Sequence, residues 1–176
     1  EMNNNPLLSK FDTPFGTPPF TEIENKDFLP AFKEALKIQK EEIDSIVQNP
    51  EEATFENTIE ALDFSGELFR QVSNVFYPLK SAHTNDSLNA IAKEIAPLIS
   101  AHRDDIALND ELFNRVKTVY EKKDELDLNK EQQMLLKKTY EIFERGGANL
   151  PEDKKERFRE INERLAVLTL EFGDNV

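Results

Sequence analysis

The sequence predicts an all-α fold: an antiparallel multi-helix bundle of about six helices, preceded by an irregular strap rich in proline and phenylalanine. Three observations carry this. Apolar residues recur at spacings of three and four along most of the chain, the period of a helix that buries one face. Charged residues are 32% of the 176 and hydrophobic ones 38%, with five glycines, a balance that favours exposed helical faces over sheets. Side chains that cap helices stand directly before several periodic stretches. The length suits one domain with a real core.

Residues 1–25 form the strap. They hold Pro6, Pro14, Pro18 and Pro19 together with Phe11, Phe15 and Phe20. Proline blocks helix, yet repeated large rings are foreign to a free tail, so the rings are expected to plug into grooves between helices; a disordered leader is the alternative. Residues 26–176 are the helical domain. Its first helix, over residues 26–48, carries Phe28, Phe32, Ala35, Leu36, Ile43, Ile46 and Val47 inward; Pro30 is tolerated in a first turn and Asn49-Pro50 ends the run.

The stretch expected to organise the bundle runs over residues 54–79. Ile59, Leu62, Phe69, Val72, Phe76 and Leu79 fall at spacings of three, seven, three, four and three, with Leu68 and Val75 widening the stripe. Thr54 is the N-cap, and Pro78 loosens or ends the last turn. As one helix it would span roughly 37 Å at 1.5 Å per residue. Gly66 inside it costs ~1 kcal/mol relative to alanine. It is read as permitting a close helix crossing, with a hinge as the other reading.

Asn85 caps a third helix with Leu88, Ile91, Ala92, Ile95, Leu98 and Ile99, which Pro97 should kink or divide. Asn109 caps a fourth with Leu112, Phe113, Val116, Val119 and Tyr120. Asn129 and Gln132 form a capping box for a fifth, with Met134, Leu135, Ile142 and Phe143 expected to face inward. Gly146-Gly147 stops it. Pro151 opens the last helix, where Phe158, Ile161, Leu165, Leu168 and Phe172 repeat at three, four, three and four. Such a seam wants a partner along its length: either an earlier helix or protein outside this chain. The ending at Asp174-Asn175-Val176, without proline or cap, is expected of a truncation at the C-terminus.

A net charge of −13 argues against a nucleic-acid partner, since phosphates call for a basic surface. There is no cysteine, hence neither a disulfide framework nor a thiolate metal site. No apolar run approaches the ~20 residues of a membrane span. Residue 1 is Glu, so an upstream signal sequence is one reading and a native start at Met2 another.

The run 53–69, with Asn5-Pro6-Leu7-Leu8, Thr13-Pro14-Phe15-Gly16-Thr17-Pro18-Pro19-Phe20 and Phe28-Leu29-Pro30-Ala31-Phe32, resembles the N-terminal region of the peptidyl-dipeptidases (dipeptidyl carboxypeptidases) of the thimet-oligopeptidase-like zinc metallopeptidase family. The resemblance continues through Ser81-Ala82-His83-Thr84-Asn85-Asp86, Gly147-Ala148-Asn149-Leu150 and Phe172-Gly173. It implies two helical halves flanking a deep channel that holds zinc, and removal of dipeptides from the C-termini of oligopeptides. This chain would then wall the channel and limit access as a non-catalytic part. Its partners would be the C-terminal catalytic region of the same polypeptide and the oligopeptide substrates. The expected compartment is the cytoplasm, or the periplasm if a signal sequence preceded Glu1.

The residues themselves carry no catalytic, cofactor-binding or metal constellation. Zinc peptidases of the H-E-x-x-H type need two histidines one turn apart with a glutamate between. Only His83 and His102 occur, nineteen residues apart, and no zinc is expected on this chain. The resemblance places that motif in the C-terminal region. The acidic groups Glu41, Glu42 and Asp44, Glu51 and Glu52, and Asp104 and Asp105 read as solvated helix faces rather than catalytic pairs. Lys122-Lys123 and Lys137-Lys138 read as surface ion pairing. Ser65-Gly66 lacks the strand-turn context of a nucleophile elbow. A self-standing helical interaction module, using the terminal seam or the strap, is the alternative function.

Overall fold

The computed structural model describes residues 5–11, 16, 18, 22–83 and 85–174, with side chains up to residue 170. Six long helices form an all-α bundle, and no strand occurs among the described residues. Helix α1 (Asn25–Val47) is entered through a capping box: Glu24 accepts from the backbone of Asp27, whose Oδ2 accepts from the Glu24 N–H at 2.8 Å. Pro30 lies one turn deeper than the first-turn position that suits proline, yet α1 runs on. Its ring and the carbonyl of Lys26, which it deprives of a donor, both sit on the exposed side, where water serves instead.

The single helix expected over residues 54–79 is instead divided. Thr54 does cap its start: Thr54 Oγ1 accepts from the Asn57 N–H at 3.0 Å, while Asn57 Oδ1 accepts from the Thr54 N–H at 2.7 Å. The chain then winds as a π-helical segment (Phe55–Glu60) into the short α2 (Ala61–Phe64). Ser65 turns extended and Gly66 takes φ 76°, a left-handed conformation that restarts the chain as α3 (Glu67–Ala82). Only glycine enters that region cheaply. The close crossing is real as well, for a Cβ on Gly66 would stand 2.5 Å from Gln39 Nε2 of α1. Periodicity runs through both pieces, so the break is invisible to spacing.

The division moves the centre of the molecule. The Phe55–Glu60 segment and α3 enter different cores, and α1 is the element whose buried residues enter both. In the first core, Phe28 and Phe32 of α1 meet Phe76 of α3 edge to face, at centroid distances of 5.1 and 5.3 Å. Leu88, Ala92, Ile95 and Ile99 of α4 (Asp86–Ala107) complete it, and Leu7 of the strap is fully buried against them. Gln71 Nε2 holds the strap by donating to the carbonyls of Leu7 and Ser9. Phe11 packs on the same core, whereas the strap residues Pro14, Phe15, Pro19 and Phe20 lie outside the described residues. The second core gathers Ile43 and Ile46 of α1, Phe55 and Ile59, α5 (Asp110–Glu121) and α6 (Lys130–Arg145).

Asn85, Asn109 and Asn129 cap α4, α5 and α6 as expected, each accepting from a backbone N–H three residues on at 2.8 to 3.0 Å. Pro97 does not divide α4, and Pro78 does not end α3. Each proline removes one backbone donor, opposite a residue four positions back (Lys93 or Asn74) that is exposed, so the change falls on the wet side.

The inward face of α6 also differs from expectation. Met134 and Ile142 are 71% and 53% exposed, while Leu136 and Thr139 are buried alongside Phe143, which faces inward as expected. This helix carries apolar residues on two faces, and packing against α5 selects one. Tyr140 stacks on Tyr120 at 3.9 Å and on Phe113 at 5.9 Å, which fixes the rotation. Gly146 closes α6, and Gly147, at φ 90°, turns the chain where a Cβ would press on Leu150, Leu108 and Phe158. Helix α7 (Glu152–Asp174) follows.

Candidate functional site

Helix α7 packs on α4 through a mostly polar row rather than through its apolar seam. Lys155, Arg159, Asn162, Ala166 and Leu170 recur at four, three, four and four, one face of a helix. Lys155 is buried and donates to Asp110 Oδ1 at 2.6 Å and Glu152 Oε1 at 2.8 Å. The bond to Asp110, then that to Glu152, raises the Lys155 pKa, and the same contact holds the Asp110 carboxyl below its usual range. Arg159 meets Asp105 Oδ1 at 2.6 Å, and Asn162 Nδ2 donates to Asp104 Oδ1 at 2.9 Å.

The consequence is a seam left open. Ile161 and Leu165 are 44% and 54% exposed, Phe158 and Leu168 are half-buried, and the Phe172 side chain lies outside the described residues. The expectation that an earlier helix covers the seam along its length fails for Ile161 and Leu165. The row that faces inward instead combines the Lys155, Arg159 and Asn162 contacts with Leu170, which packs on the first core.

Beside this edge runs a groove of about 460 Å³ between α3, α4 and α7, walled by Tyr77, Ile99, Leu165 and Leu170 with Arg103 and Asp104 among its polar residues. Asp104 is only 6% exposed, and its Oδ2 has no hydrogen-bond partner among the described residues. Burial pushes its carboxyl pKa up. The Asn162 bond and the charge of Arg159 pull it down, and Asp105 adds to the rise. The sequence had paired Asp104 with Asp105 as a solvated acidic face, which is right for Asp105 alone. Asp104 lies off the apolar stripe of α4 and is buried by a helix about 50 residues downstream, so no local pattern marks it. Since Asp104 is bonded to Asn162 and Asp105 to Arg159, the two do not form a proton-sharing pair.

The two histidines lie apart in role and place. His83 is exposed and closes α3, its backbone N–H donating to the Leu79 carbonyl. His102 is half-buried in α4, with Nε2 2.7 Å from Gln39 Oε1, the same glutamine that fills the space beside Gly66. Burial lowers the His102 pKa; Lys40 and Arg103 act in the same direction, and Asp105 opposes them. Among the described residues no group of three or more histidine, aspartate or glutamate side chains stands ready for a metal ion. Of the two histidines one ends a helix and the other is hydrogen-bonded to Gln39. No helix among the described residues is long and apolar enough to cross a membrane.

Two of the smaller hollows on the surface adjoin features already described. One, of about 270 Å³, lies at the α2–α3 break between Leu62, Arg70, Leu135 and Ile142. Arg70 there donates to the carbonyls of Asp63 and Ser65, closing the end of α2. The other, of about 400 Å³, is flanked by Tyr120 and Lys123, whose Nζ sits 4.1 Å from the ring centroid.

No family model matches the chain. Over 172 residues, 98% of its length, it is 35% identical to dipeptidyl carboxypeptidase of Escherichia coli (strain K12), of which it covers 25%. Against oligopeptidase A of the same organism it is 28% identical over 176 residues, again 25% of the relative. Against the thimet-like oligopeptidase of Dictyostelium discoideum it is 28% identical over 148 residues, 82% of this chain and 22% of that one. The chain thus spans about a quarter of the length of the curated relatives it matches.

Proposed function

Since this chain belongs to the family of dipeptidyl carboxypeptidase, oligopeptidase A and thimet-like oligopeptidase, we propose that it is the N-terminal helical region of a zinc metallopeptidase that removes dipeptides from the C-termini of oligopeptides. Its part is non-catalytic: it walls the substrate channel and limits access. The observation that carries this reading is the similarity running along 98% of the chain to a protein of which it makes 25%. Two cores sharing α1 give the stiffness a channel wall needs. The net charge of −13 gives that wall a field that disfavours acidic peptides. On this reading zinc ligands and general base belong to polypeptide outside these 176 residues, since the chain holds only His83 and His102, nineteen residues apart.

The test compares the full-length polypeptide with the 176-residue chain on oligopeptides whose C-terminus is free or amidated, with and without a zinc chelator. The full-length protein is expected to release dipeptides from the free peptide only, and to stop on chelation. The short chain is expected to release none. Dipeptide release by the short chain overturns the non-catalytic assignment, and intact peptides after full-length treatment overturn the activity.

A second reading, a self-standing helical interaction module, is favoured by the open Ile161 and Leu165 edge. It requires a stable assembly of the 176-residue chain in solution and a stop codon near Val176. An H-E-x-x-H downstream supports the peptidase instead.

A further inference from the structure

The open edge of α7 and the groove beside it call for an occupant. Ile161 and Leu165 are four residues apart, so their side chains lie one above the other on the same face, and Tyr77 of α3 stands across the groove from Leu165. That face has the spacing one helix offers another, and in water it leaves large apolar side chains uncovered. Beneath it Asp104 is held out of water with one oxygen unpartnered among the described residues, a condition that favours positive charge nearby. The Oδ2 atom is shut off from solvent. The occupant therefore acts on it through charge at the groove mouth rather than by direct contact.

A second copy of this chain is a poor occupant, because each copy carries a net charge of −13 and two such copies repel one another. The relatives, by contrast, are about four times as long as this chain, so most of their polypeptide lies beyond the part it matches. We propose that the α3–α4–α7 groove seats an amphipathic helix from the remainder of the same polypeptide, with its apolar edge on Ile161, Leu165 and Tyr77 and a lysine or arginine over Asp104. This rests on the functional reading above, in that it needs further chain in the same protein, and it names the surface through which that chain is held.

The experiment places a photoreactive benzoylphenylalanine at Leu165 of the full-length polypeptide, and separately at Ile161, and maps the cross-links by mass spectrometry. Both sites are near half-exposed, so the substitutions leave the cores intact. The expected product is an intramolecular link to a residue outside 1–176, within one helical turn of a lysine or arginine. A link to another copy, a link to residues 12–21 of the strap, or no link from either position overturns the proposal, as does a reading frame that ends at Val176. Asp104→Asn supplies the electrostatic arm, since it keeps an oxygen for Asn162 and removes the charge. Amide exchange over residues 158–170 should rise about threefold or more in the full-length protein and not in the 176-residue chain. An equal rise in both overturns the cationic contact. The same samples are assayed for dipeptide release: a correct cross-link in an inactive protein counts against the peptidase reading alone, and an active protein without the cross-link counts against this docking alone.

Discussion

Single residues decide where this chain bends and how it responds to pH. Gly66 holds a left-handed φ of 76° against Gln39, so Gly66→Ala should lower stability by about 1–2 kcal/mol in urea unfolding; an unchanged midpoint would mean that the break relaxes at no cost. His102 has a folded pKa below its ordinary 6.5, mainly through burial, so the unfolded chain takes up the proton first as pH falls. The stability this group contributes is complete above that value and is lost as pH drops through it. Denaturation midpoints measured at about pH 7.5 and pH 5.5 should therefore fall in the wild type and fall less in His102→Gln, which keeps a partner for Gln39. Lys155, buried between Asp110 and Glu152, is a different case from the exposed pair Arg157–Glu160. Thermal unfolding of Lys155→Met should show a loss of about 1–2 kcal/mol, and Arg157→Ala a change within about 0.5 kcal/mol. Of these three environments only the close crossing at Gly66 was legible in the sequence. The half-buried histidine and the buried lysine depend on the distant partners Gln39 and Asp110.

At the scale of elements, caps and stops were legible and faces less so. The side-chain caps at Thr54, Asn85, Asn109 and Asn129 and the glycine stop after α6 follow from backbone groups that must be satisfied within a few residues, and the sequence holds that information. The face that α6 turns inward is legible at Phe143 but not at Leu136, because Met134 and Ile142 satisfy a helical period just as well. The correction is testable: Met134→Lys should alter stability by no more than about 0.5 kcal/mol, while Leu136→Ala should lower it by about 2–5 kcal/mol. Equal costs in chemical denaturation would restore the rejected face. Interior prolines teach the same lesson from the other side. Pro30, Pro78 and Pro97 survive in α1, α3 and α4 because the turn each one disturbs holds an exposed residue four positions back, which depends on burial rather than on position in the sequence.

At the scale of the molecule, α1 belongs to both cores, so neither should melt alone. In a Tyr77→Phe variant, Tyr120 and Tyr140 report fluorescence from the second core while far-UV dichroism reports all helices. The two transitions should coincide in urea, and separated midpoints would show the cores to be independent. The amino-acid sequence by itself determined the all-α class, the rhythm of helices and their caps, and the resemblance to an oligopeptidase family, because each is written in neighbours or in aligned runs of residues. Only the tertiary structure decided that residues 54–79 break at Gly66, that α1 joins the cores, and that α7 turns a charged row inward and leaves Ile161 and Leu165 uncovered. Those outcomes depend on which distant groups meet and satisfy one another's charge, a competition among faces that spacing along the chain does not resolve.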